Sequence, residues 1–102
     1  MSITKKFLKS KTICKVTFRL PKEVVSEADS VSVVGEFNEW NPSAAPMKPM
    51  KSGEFSTTLE LEQGNEYQFR YLINGKDWTN DNEADKYVAT PYGDAQNSVI
   101  VL

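Results

Sequence analysis

The chain has 102 residues, 39% of them hydrophobic and 11% aromatic, which is the size of one domain with one modest core. Charged residues make up 25%, the net charge is −2 and there is no histidine. This composition argues against wholesale disorder, and it excludes zinc sites of the usual Cys/His kind and histidine-based acid–base catalysis.

The charge is unevenly placed. Residues 1–22 carry seven of the twelve basic residues and no acid. The five remaining basic residues stand against all fourteen acids. An acidic body argues against a nucleic-acid partner. Residues 1–12 read as a basic N-terminal extension with a solvated, frayed end, and residues 13–102 as the domain proper. No apolar run is long enough to span a membrane. The start, MSITKKFLKSKTICKV, lacks the apolar stretch of a signal peptide, so a cytoplasmic setting is expected. The single cysteine, Cys14, cannot form an internal disulfide and reads as a small buried hydrophobe.

Strict alternation predicts the first strand at residues 13–20, ICKVTFRL, with Cys14, Val16, Phe18 and Leu20 on one face. Pro21 ends it. Residues 22–29 are charged and loop-like. A second strand is expected at 30–37, SVSVVGEF, with Val31, Val33 and Phe37 inward. Gly35 falls in that inward series, where it marks a bulge or a close backbone approach. Residues 38–46, NEWNPSAAP, are loop by composition, and Met47 to Met50 a short edge strand.

The next strand, 54–61, turns Phe55, Thr57, Leu59 and Leu61 inward. After the Gln63–Gly64–Asn65 turn, residues 66–73 turn Tyr67, Phe69, Tyr71 and Ile73 inward and Gln68, Arg70 and Leu72 outward. Asn74–Gly75 is the strongest hairpin signal, with the return arm starting near Lys76–Asp77–Trp78. Residues 79–85 are polar loop, Lys86 to Ala89 a short strand, 90–96 loop again and 97–102 the last strand. Short strands with regular turns and no helical periodicity predict an all-β fold. The expected form is an antiparallel sandwich of two sheets, immunoglobulin-like and free of disulfides, with a small barrel as the alternative.

Catalytic chemistry finds little support. A paired-carboxylate mechanism would have to use Asp77, Asp81, Glu83 and Asp85, yet their surroundings read as solvated loop. The same segment offers oxygen ligands for calcium, but the spacing is not that of an EF-hand, and Asx turns explain it as well. No cofactor is expected.

Both tryptophans stand outside the predicted core. Trp40 and Trp78 lie among polar loop residues. One such tryptophan is expected to fold back over a core edge. Two make a shared surface attractive, provided their loops meet in space. Exposed indoles suit the weakly polar C–H faces of sugar rings, while nearby polar groups such as Arg70 meet the hydroxyls.

The run VSVVGEFNEWNP, then YQFRYLINGKDWTND, then GDAQNSVIVL, resembles the glycogen-binding domain family over residues 13–102. This is the isoamylase N-terminal-like group, also called carbohydrate-binding module family 48. It is found in AMP-activated protein kinase beta subunits and in glucan-branching and debranching enzymes. The matching positions are Gly35, Phe37, Asn38 and Trp40, then Tyr67, Phe69, Arg70, Tyr71, Asn74, Gly75 and Trp78, then Asn97, Ser98 and Val99. One extra residue separates Gly75 from Trp78 relative to the family pattern. The resemblance implies a β-sandwich that binds α-1,4-linked glucan without catalysis. It implies Trp40 and Trp78 as stacking platforms, Arg70 as a hydroxyl donor, Tyr92 as a side chain inserted against the sugar, and Asn97 as a sugar hydrogen-bonding group. A protein partner carrying catalytic activity fits this picture. The competing expectation is a structural or protein-interaction module with little sugar affinity.

Overall fold

A computed structural model describes residues 3–9, 12–25, 28–90 and 96–102. Its strands are β1 (Ile3–Phe7), β2 (Ile13–Leu20), β3 (Val31–Gly35), β4 (Lys48–Pro49), β5 (Phe55–Glu62), β6 (Glu66–Ile73), β7 (Asp77–Thr79), β8 (Lys86–Ala89) and β9 (Gln96–Val101). A single helical turn, α1 (Lys22–Val25), follows β2, and a short 3-10 turn (Glu36–Asn38) follows β3. One sheet has the order β1-β2-β5-β4. The other has the order β3-β6-β9-β8, with β7 also paired to β6. Every pairing among these strands is antiparallel. The expected two-sheet sandwich forms.

The core lies between the sheets and follows the alternation. Cys14, Val16, Phe18 and Leu20 from β2 face Val31, Val33, Phe69, Tyr71 and Ile100 from the second sheet, and all are buried. Phe18 is at the centre of an aromatic cluster, 5.2 Å from the Phe69 ring and 5.7 Å from the Phe37 ring, centroid to centroid. Edge-on and tilted contacts of this kind add to the area buried. Cys14 is free and buried, as its neighbours predicted.

Three readings need correction. Residues 3–7 are not a frayed arm: β1 pairs with β2 from Ile3↔Phe18 to Phe7↔Cys14. Ile3 lies over the core, and Lys5 crosses to the other sheet, where its Nζ meets Asp85 Oδ2 at 2.6 Å and Val101 O at 3.0 Å. An inward lysine also discourages a further chain from adding to this edge. Secondly, the strand expected at 30–37 stops at Gly35, and the 3-10 turn carries Phe37 back onto the core. Thirdly, Asp81 is not a solvated loop acid. It is 1% exposed, and its carboxylate accepts the Tyr71 hydroxyl at 2.6 Å and the Glu83 N–H at 2.7 Å. Burial, and then the Asp81 carboxylate, push the Tyr71 hydroxyl far above the usual tyrosine range, so it stays a proton donor to that acid.

Gly35 explains why β3 can lie close to β6. A Cβ there would collide with Gln68 O and come within 2.7 Å of Phe69 Cβ. Its φ of −170° is ordinary extended backbone, so space alone demands glycine.

Candidate functional site

The site is built around the outward face of β6. β3 pairs with β6 over Gly35↔Phe69 to Val31↔Ile73. β9 pairs over Glu66↔Val101 to Phe69↔Ser98, and β7 over Tyr71↔Thr79 to Ile73↔Asp77. β6 has only two edges, so β7 and β9 lie end to end along the edge opposite β3. Gln68 and Arg70 therefore form a floor with the β3 end on one side and β7 and β9 on the other.

Trp40 comes from the β3 side. Asn38 ties off the 3-10 turn: its Oδ1 accepts Gly35 N–H at 3.1 Å, and its Nδ2 donates to Val33 O at 3.1 Å. Glu39 and Trp40 then adopt left-handed backbone, with φ of 56° and 58°. Two successive non-glycine residues in that region are costly and uncommon. The Trp40 N–H closes the turn on Gly35 O at 2.8 Å.

Trp78 comes from the opposite side, and the turn decides its direction. Asn74 and Gly75 have φ of 54° and 70°, the positive values that the Asn–Gly pair predicted. Asn74 Oδ1 also accepts the N–H groups of Asp29 and Ser30, at 2.7 and 3.1 Å. Lys76 is a third residue in this loop. Ile73 then pairs with Asp77, and Leu72 with Trp78. Cross-strand partners share a face, so Trp78 is on the outward side with Leu72 and Arg70. A two-residue loop would have set Trp78 opposite Tyr71, facing the core.

Between the indoles is an open concavity of about 410 Å³ lined by Glu36, Trp40, Gln68, Arg70, Trp78, Thr90 and Asn97. Its floor is a hydrogen-bonded chain. Arg70 Nε donates to Asn97 Oδ1 at 2.7 Å, and Asn97 Nδ2 donates to Gln68 Oε1 at 2.9 Å. Glu36 Oε1 accepts the Gln68 N–H at 2.7 Å. These bonds hold the amides and the guanidinium in place, while the terminal Nη groups of Arg70 have no protein partner among the described residues.

Both tryptophans remain open, Trp40 at 37% and Trp78 at 48% exposure. Neither ring packs on another aromatic ring among the described residues. The core-capping expected for a lone loop tryptophan does not occur. Of the five residues singled out in the sequence, Trp40, Arg70, Trp78 and Asn97 line one concavity. Tyr92 falls outside the described residues. Gln68 and Glu36 were not singled out, although Gln68 shares the outward alternation of Arg70 and was legible on that ground.

The profile for the glycogen recognition site of AMP-activated protein kinase matches residues 15–102. The chain belongs to that family. Carbohydrate binding is the function that this membership supports. The chain is also similar to an amylopullulanase of Thermoanaerobacter thermohydrosulfuricus, with 29% identity over 93 residues covering 85% of this chain. It spans only 6% of that relative's length. Seen as a glycogen-recognition domain, the chain places its two loop tryptophans on the open face of one sheet and leaves the inter-sheet core intact. Among the described residues no group of three or more acidic or thiol side chains is disposed to hold a metal ion. No helix among them is long and apolar enough to cross a membrane.

Proposed function

We propose that this domain binds α-1,4-linked glucan chains without catalysis, with Trp40 and Trp78 as two separate stacking platforms. The observation that carries this reading is the pair of exposed indoles on either side of a polar floor. Sugar rings present apolar C–H faces and a polar rim of hydroxyls. Indoles cover the former, and Arg70, Asn97, Gln68 and Glu36 meet the latter. Two platforms that do not stack together suit a curved chain, whose successive rings turn different faces outward. Tyr92, which precedes β9 in the sequence, is proposed to complete the site. Two of the acids at 77–85 serve the fold: Asp81 is buried in a hydrogen-bond network, and Asp85 is paired with Lys5.

The similarity to amylopullulanase supports a role beside a glucan-processing activity, with this domain holding the polymer and a partner carrying the chemistry. The competing reading, an interaction module with little sugar affinity, calls for indoles turned into the core, and both are exposed. The test is titration with maltoheptaose against a cellohexaose control, followed by tryptophan fluorescence. The proposal expects saturable quenching by maltoheptaose alone, with a dissociation constant on the order of micromolar to millimolar. No response at millimolar maltoheptaose refutes it.

A further inference from the structure

We propose that Asn80 is a positioning residue that sets the geometry between Trp78 and Asn97; the inference rests on the glucan-binding reading above. β7 and β9 lie in line along one edge of β6, and the chain leaves that line after Thr79 and rejoins it at Gln96. Trp78 is on the strand that leaves and Asn97 on the strand that returns. Nothing in the β-ladder joins the two strands directly, because each pairs with a different part of β6.

Asn80 closes this gap. Its Nδ2 donates to Gln96 O at 2.8 Å, and its Oδ1 accepts the Ser98 N–H at 3.1 Å and the Ser98 hydroxyl at 2.9 Å. One side chain thus grips the backbone on both sides of Asn97, two residues after Trp78. The next residue reinforces the grip: Asp81 N–H donates to Ser98 Oγ at 2.9 Å, and the Asp81 carboxylate is anchored in the core by Tyr71. Ser98 is fully buried, so the clamp is fixed from below. Asn97 in turn orients Arg70 and Gln68 through its own amide. The platform on one strand and the polar floor are therefore held in register by a residue that need not touch sugar. Sites held by locked supporting residues lose affinity when that support is loosened.

The experiment is calorimetric titration of maltoheptaose into the whole chain and its N80A, N80D and V16A variants, with thermal unfolding of each. N80A is expected to weaken binding by about tenfold, the scale of one well-aligned hydrogen bond. N80D keeps the acceptor for Ser98 and loses the donor to Gln96, so it is expected to fall between N80A and the parent. Val16 is buried in the opposite sheet, so V16A loses stability without altering the site and should bind like the parent. If N80A and N80D bind like the parent, the inference is overturned while the glucan reading stands. If V16A weakens binding as much as N80A for the same loss of melting temperature, Asn80 acts only through stability and the inference fails. If the parent does not bind, the glucan reading fails and takes this inference with it.

Discussion

Replacing Trp78 with alanine is the sharpest perturbation of the proposed platform. A tryptophan side chain offers an area of about 250 Å² at the upper end of the aromatic range, so 48% exposure leaves roughly 120 Å² to be covered. A sugar ring covers one face, about half of this, which is worth roughly 1.5 kcal/mol at about 25 cal/mol/Å². W78A is therefore expected to weaken maltoheptaose binding by about tenfold. The remaining half of the side chain, roughly 130 Å², is buried on a three-residue strand, so the same change should cost the fold no more than about 3 kcal/mol. Calorimetric titration, or retardation in a native gel containing glycogen, measures the affinity without relying on the deleted fluorophore. Thermal unfolding measures the stability. A W78A variant within twofold of the parent in affinity refutes the stacking argument. So does a loss of affinity that appears only where the variant is also unfolding.

Three further outcomes are expected. G35A should destabilise the fold by about 3 kcal/mol or more, since the added methyl meets Gln68 O and Phe69 Cβ in a packed ladder; the midpoint of urea unfolding reads this directly. Y71F should cost about 1–3 kcal/mol by leaving the buried Asp81 carboxylate without its hydroxyl donor, and a loss under about 0.5 kcal/mol by the same assay would contradict the network as described. Burial acts upward on the Asp85 carboxyl, but the Lys5 ammonium and the Val101 N–H prevail and hold it below its ordinary value. A lowered folded-state value gives stability that is present above the unfolded aspartate value of about 3.9 and lost as pH falls through the folded one. Melting temperature should thus decline below about pH 4, and D85N should flatten that part of the profile. Equal slopes for parent and D85N would remove Asp85 from the account.

Much of the fold was legible because alternation is a local property. The pattern in residues 13–20 and 66–73 assigned Phe18, Phe69 and Tyr71 to the core without reference to any partner strand. Asn74–Gly75 marked its turn because few other residues tolerate two positive φ values in succession. β1 escaped notice because its lysines read as solvated charge, and only the facing sheet supplies the carboxylate and carbonyl that Lys5 reaches. Asp81 escaped for the same reason: its donors, Tyr71 and Glu83, converge only in three dimensions.

The residues by themselves determined that this chain is an all-β domain with both tryptophans surplus to its core, and the family match over residues 15–102 agrees with the resemblance carried by its motifs. Tertiary structure alone decided that the surplus tryptophans share one concavity with Arg70 and Asn97. Composition cannot convey this, because Trp40 depends on a left-handed turn after β3. Trp78 depends on the register across a three-residue loop, and a slip of one residue would have turned its indole inward.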